Sequence, residues 1–269
     1  MFQLKKLTTL LFVALSFTFA FAQSQDAIYT YKNNPNDKVS QTILRVAKKY
    51  VGTPYLAGTL EQPKETLICR TDAFDCFTFV EHCVALTRNA HSDKPSYENY
   101  QKLLAELRYH QGMIDGYGSR LHYFSGWILQ ASQKKIVVDV LKDTGKLLEK
   151  KIQFMSTHKG LYPMNIPVKE WNKVKAQELQ LSQSSFFYLP KDSIEVNQNL
   201  IQSGDIIAFT STIDGLDVNH EGIAVWLDNS LRFVHASSEN KKVELSSETL
   251  SAYTNRIKKH AGIFVYRLL

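Results

Sequence analysis

Three side chains in this sequence could carry a nucleophilic attack. Cys76 lies in Phe74-Asp75-Cys76-Phe77-Thr78-Phe79-Val80, and two histidines, His220 and His235, stand far along the chain. Phe79, Val80, Cys83 and Val84 recur at helical spacing, which predicts a helix from Cys76 to about Thr87. The unpaired N–H groups and dipole of a helix start favour negative charge, so this position should lower the Cys76 thiol and raise its thiolate fraction. A nucleophilic cysteine needs a base, and the base needs an orienting group. His220 precedes the strand Glu221-Gly222-Ile223-Ala224-Val225-Trp226, and His235 ends Leu231-Arg232-Phe233-Val234-His235. A hairpin about Asp228-Asn229-Ser230 would set both imidazoles toward its open end, though not as direct cross-strand partners. A cysteine or histidine taken singly is more often structural. Cys83 fits that reading inside the apolar stripe, as do His82, His91, His110, His158 and His260.

The elements that must position these groups follow from the pattern. Helices are predicted over Ser40–Val51, closed by Gly52, over Tyr97–Leu107, capped by Ser96, and around Val168–Gln180. Residues 112–126 are rich in glycine and aromatics and read as an ordered loop leading into a short helix. Ile136–Val138 and Lys151–Phe154 read as strands. The last third is a run of short strands: Asp205–Phe209 behind the turn Ser203-Gly204, then Gly222–Leu227, Leu231–Ala236, Val243–Leu245 and Ile263–Arg267. Helices first and strands after indicate an α+β fold, with helices packed on one side of an antiparallel sheet. No repeat, low-complexity tract or flexible linker divides the chain.

Composition narrows the function classes. With 44% hydrophobic and 22% charged residues in 269, the chain is ordinary globular protein, not disordered or collagen-like. Lys5 and Lys6, the apolar run Leu7–Phe19 and Ala20-Phe21-Ala22 form a secretory signal, so residues 1–22 are expected to be removed. Residues 23–269 would then be a single domain working in the periplasm, with no stable membrane anchor. The formal charge of +6 falls to +4 without the two signal lysines, and the basic residues are scattered, so no nucleic-acid partner is expected. An odd count of three cysteines in an exported chain leaves at least one free thiol. Cys76 and Cys83, about 10 Å apart on one helix, are beyond the roughly 7 Å that a disulfide spans. Pairing of Cys69 with Cys83 stays open.

The motifs together resemble a known family. Tyr50-Val51-Gly52-Thr53-Pro54-Tyr55, Asp75–Val80, Ser203-Gly204-Asp205-Ile206, Asn219–Ala224 and Val234-His235-Ala236 stand in the order of the NlpC-type, papain-like cell-wall peptidases. The resemblance covers most of residues 40–268. It implies Cys76 as nucleophile, His220 as base, His235 as orienting residue, Tyr55 as a hydroxyl near the oxyanion, and Asp75 as the helix cap. It implies a papain-like NlpC-type fold and no metal or cofactor. Two departures mark a branch: Phe77-Thr78 stand where the family usually has Ser-Gly, and a long insertion separates the cysteine helix from the histidine strands. The insertion carries Arg120-Leu121-His122-Tyr123-Phe124-Ser125-Gly126-Trp127, which is similar to a signature of the N-acetylmuramoyl-L-alanine amidase-like branch, with Gly126 where that branch usually has Asp.

That resemblance implies cleavage of the amide between N-acetylmuramic acid and L-alanine in soluble peptidoglycan fragments. Tyr123 and Trp127 could offer flat faces to a pyranose, and Arg120 and His122 donors to its polar groups. The same stretch would also serve as plain core. Three rivals stand beside this reading: a γ-D-glutamyl-diaminopimelate endopeptidase, a zinc amidase using Cys76, His220 and His235 as ligands, and a wall-binding module without catalysis. No His-Glu-x-x-His or paired Cys-x-x-Cys favours zinc. A pure binder has no need of the intact cysteine and histidine set.

Overall fold

Asp75 starts the helix on which the fold is built. Its carboxylate accepts from the Thr78 N–H at 2.8 Å, and its own N–H donates to Thr78 Oγ1 at 3.0 Å, a reciprocal cap. The helix α2, Cys76–Ala90, is buried on nearly every side rather than along one stripe. It needs to be, because it lies between two layers. One side packs on α1 (Val39–Lys49) and α3 (Tyr97–Arg108), and the other on the sheet strands Val218–Leu227 and Ser230–Ser237. A buried ion pair fixes α3 to it: Arg108 Nε donates to Glu81 at 2.8 Å and Arg108 also reaches the Ile68 carbonyl at 2.6 Å.

The computed structural model describes residues 28–30, 32, 33 and 36–269; the expected signal segment, residues 1–22, lies outside them. After α3 come α4 (Phe124–Gln133), β1 (Val137–Asp139), β2 (Lys146–Leu147), the short α5 (Phe154–Thr157), α6 (Val168–Ser182) and β3 (Phe187–Pro190). The chain closes with β4 (Ile206–Ser211), β5 (Val218–Leu227), β6 (Ser230–Ser237), β7 (Lys242–Leu245), α7 (Leu250–Arg256) and β8 (His260–Leu268). Every strand pair is antiparallel, in the order β2-β3-β8-β4-β5-β6-β7, and β1 continues along the β8 edge that β3 begins. The α+β expectation is met, except that helices do not keep to one side: α7 packs on the face opposite α2.

The sheet is apolar on both faces. Ile206, Ala208, Ile223, Val225, Val234 and Phe264 meet the helices, while Ile207, Phe209, Phe233, Ile263 and Val265 form a second core with Leu250 of α7. Period-two alternation therefore assigns each strand residue to one of two interiors. The turn before β4 needs glycine: Gly204 has φ +97°, and a Cβ there would sit 2.9 Å from the Ser40 backbone. Among the described residues, no helix is long and apolar enough to cross a membrane.

Most predicted elements appear within a few residues, but Lys151–Phe154 is not a strand. The N–H groups of Gln153 and Phe154 both donate to the Gly215 carbonyl, and that of Ile152 to Ser182 Oγ, so no ladder can form. Phe154 then opens α5. All three cysteines are unpaired.

Candidate active site

The Asp75 cap leaves Cys76 as the first residue of α2, half-buried, at the floor of a cleft of about 240 Å³. The cleft runs between this helix start, the loop around Tyr117, α4 and α5, Tyr162, and the beginning of β5 from Leu216 to Glu221. Cys76 and His220, 144 positions apart, thus share one opening.

His235 joins from the neighbouring strand. His220 Nε2 and His235 Nδ1 are 2.7 Å apart, with the rings edge-on at 83°. Behind them, His235 Nε2 faces Glu244 Oε1 at 3.8 Å, and Glu244 is the register partner of His235 on β7. The rings lie among Phe209, Phe233 and Tyr253. Burial pushes the His220 imidazole well below its ordinary value, with His235 and His260 adding to the effect. Burial also lowers His235, to about 4, against Glu244 and Glu239. Both imidazoles are neutral at neutral pH, so one of the two facing nitrogens carries a hydrogen and the other accepts it.

Cys76 departs from expectation. Burial and then the carboxyls of Glu221 and Asp75 push its thiol well above the usual range, and the N–H groups of Glu221 and Phe77 only partly oppose this. The helix start is present, but desolvation outweighs it. The resting pair is thiol and neutral imidazole, so attack requires the proton to leave sulfur as the bond forms. Tyr55, bridged to Phe74 two residues before Cys76, lies close enough that the Cys76 charge acts on it; burial is the main cause that raises its hydroxyl to about 12. It therefore stays a donor.

The insertion contributes differently from its expected roles. Trp127 is 1% exposed, stacks on Phe124 at 5.7 Å and lines no part of the cleft; α4 turns it into the core. Arg120 is buried, and its donors are committed to Glu65, Glu61 and the Leu60 carbonyl, so it buttresses that loop instead of meeting the cleft. His122 does line the cleft, but Nε2 lies 2.8 Å from the Tyr117 carbonyl and must donate to it. Burial lowers its ring to about 3, leaving Nδ1 an acceptor. Tyr123 borders the cleft but is 3% exposed, and its hydroxyl donates to Glu178 and accepts from the Met155 N–H, each at 2.7 Å. Gly126 sits against Leu121 and Leu181, away from the cleft, so its departure from the branch pattern leaves the site unchanged.

Several lining residues were not singled out by sequence: Glu61, Tyr117, Tyr162, Asp217 and Glu221. Asp217 is a builder. Its carboxylate takes the N–H and hydroxyl of Ser125 at 2.8 and 2.7 Å, capping the start of α4 from another element, and takes the Val218 N–H at 2.7 Å. Among the described residues, no group of three or more His, Cys, Asp or Glu side chains is placed to hold a metal ion.

A helix-borne thiol and a strand-borne imidazole thus line one cleft in an α+β frame. The chain belongs to the AmiA-like, N-acetylmuramoyl-L-alanine amidase-like family, whose model matches residues 45–263. It is similar to the structure of an N-acetylmuramoyl-L-alanine amidase from Bacteroides uniformis: TM-score 0.82 and 37% identity, over 87% of this chain and 100% of that one. A Bacteroides fragilis protein named as a candidate xylanase is also 37% identical, with TM-score 0.78, over 83% of this chain and 100% of that one. A Legionella pneumophila protein shares the fold at TM-score 0.65 and 21% identity, over 87% of this chain and 90% of that one. No curated protein matches the sequence.

Proposed function

We propose that the chain is a cysteine-dependent hydrolase that cleaves the amide between N-acetylmuramic acid and L-alanine in soluble peptidoglycan fragments, using a papain-like arrangement. The observation that carries this is the shared cleft of Cys76 and His220, with His235 set 2.7 Å behind the imidazole.

In this reading Cys76 attacks the carbonyl of the muramyl lactyl group. The Sγ–C bond forms as the thiol proton passes to His220, and the carbonyl electron pair moves to oxygen. The N–H of Cys76 and the Tyr55 hydroxyl donate to that oxygen. The tetrahedral adduct collapses, the C–N bond breaks, and His220 returns the proton to the departing L-alanine nitrogen. Water, deprotonated by His220, then splits the thioester, and the proton returns to sulfur. His235 accepts from His220 Nε2–H, which keeps the other His220 nitrogen open as base. Tyr117 and Tyr162 supply ring faces for the sugar, and the buried Tyr123 and Trp127 are left out of that role.

Export to the periplasm through residues 1–22 fits a wall-fragment substrate, and amino-terminal sequencing of the mature protein should find its start near Gln23. The mechanism is tested by Cys76→Ala, which should remove turnover by several powers of ten while the melting temperature holds. Alkylation should inactivate the wild type and a chelator should not. Ordinary activity in Cys76→Ala, or loss of activity on chelation, would refute it.

A further inference from the structure

Glu221 is a buried carboxyl with nothing in the protein to hold it. It is 4% exposed, yet among the described residues its side chain makes no hydrogen bond and no ion pair. It lines the same cleft as Cys76 and His220. On β5 it shares the helix-facing side with Ile223 and Val225, on the side where α2 packs, whereas His220 faces the opposite core. The charged groups acting on it are all acidic: Glu81 of α2, Asp75 at its cap, and Asp217 just before β5. No cation compensates it, and a lone buried carboxylate among like charges takes up a proton instead of staying ionised. Burial first, then those three carboxyls, holds Glu221 well above the usual carboxylate range.

A protonated carboxyl has one O–H donor, and this one lacks an acceptor in the protein while the residue lines the cleft. We infer that Glu221 works in its uncharged form, donating its O–H to the negative charge that develops beside Cys76 during attack. A carboxylic acid kept neutral by an apolar setting can serve as such a donor. Glu221 keeps its proton throughout: the carbonyl oxygen accepts the hydrogen bond as the Sγ–C bond forms and releases it on collapse. Ionised, the same group would repel the sulfur, since its charge is the strongest electrostatic influence raising the Cys76 thiol. The site therefore switches off as Glu221 loses its proton.

This inference rests on the cysteine mechanism proposed above, and the experiment separates the two. Steady-state kcat and KM are measured against pH for wild type, Glu221→Gln, Glu221→Ala and Cys76→Ala, on a muramyl peptide, with unfolding curves for each variant. Glu221→Gln keeps a neutral donor of the same shape. The wild type should show a fall in kcat on the alkaline side, and Glu221→Gln should retain kcat within about tenfold and lack that fall. Glu221→Ala should lose roughly a hundredfold in kcat with KM little changed, the usual cost of one oxyanion donor. A folded Glu221→Gln that is as inactive as a donor-less enzyme overturns the inference, as does an alkaline fall that persists in it. Glu221→Ala within a few-fold of wild type also overturns it. Cys76→Ala with ordinary turnover overturns the cysteine mechanism itself, whereas an inactive Cys76→Ala beside a folded Glu221→Gln that keeps the alkaline fall overturns this inference alone.

Discussion

His220 and His235 meet nitrogen to nitrogen at 2.7 Å although they are not register partners. Pairing between β5 and β6 ends at Ile223 with Val234, so His220 reaches His235 diagonally past Gly222. The second imidazole faces Glu244, its true cross-strand partner on β7, at 3.8 Å. The chain of contacts Glu244, His235, His220 can set one tautomer throughout, with hydrogen on the Nε2 of each ring.

That relay predicts a graded series. His235→Ala should lower kcat by about 10- to 100-fold, because the imidazole base loses its orientation but not its presence. Glu244→Leu should cost less than His235→Ala. Nitrogen-15 spectra of the wild type should show the His235 hydrogen on Nε2, and Glu244→Leu should mix the two tautomers. Unchanged kcat in His235→Ala would remove the relay from the account.

The aromatic residues of the insertion divide into two roles. Trp127, 1% exposed in the core, should behave as a packing residue: Trp127→Ala should cost about 3–5 kcal/mol in urea unfolding. Tyr162, half-buried at the cleft, should behave as a binding residue. Tyr162→Ala should raise KM for a sugar-bearing substrate roughly tenfold, about 1.4 kcal/mol, with little change in kcat or stability. A larger stability loss in Tyr162→Ala than in Trp127→Ala would reverse the assignment.

His260 offers a test of burial against pH. Its ring stacks on Phe209 at 4.7 Å, its Nδ1 lacks a partner, and burial lowers it to about 4. An unfolded histidine titrates near 6.5. Because the folded value is depressed, the native state is favoured fully above about 6.5, and this advantage is lost as pH falls from there toward 4. His260→Phe cannot titrate. Relative to wild type it should gain about 2 kcal/mol of stability between pH 7.5 and pH 5. A difference that does not change with pH would show that His260 titrates normally in the fold.

The sequence made some of this site legible and hid the rest, for physical reasons. Cys76 was readable because Asp75 is a local cap and the apolar run after it is helical in period. His220 and His235 were readable as strand residues near one hairpin end. Glu221 was not, because alternation along a strand normally assigns a charged residue to solvent, and β5 has no solvent face where Glu221 lies. Asp217 was hidden for another reason: it caps α4, an element 92 residues earlier, and no local spacing encodes such a contact. Trp127 misled because composition alone cannot say which ring of an aromatic stretch turns inward. Helix α7 escaped notice because it is seven residues long, though Thr249 caps it.

The central claim, that the lactyl–alanine amide is the bond cut, is tested most directly by the product masses from a defined muramyl tripeptide incubated with wild type and with Cys76→Ala. The account predicts free N-acetylmuramic acid and a free peptide that begins with L-alanine, formed by the wild type and not by the variant. Release of a dipeptide still joined to the sugar would contradict it, placing the cut at the γ-D-glutamyl bond.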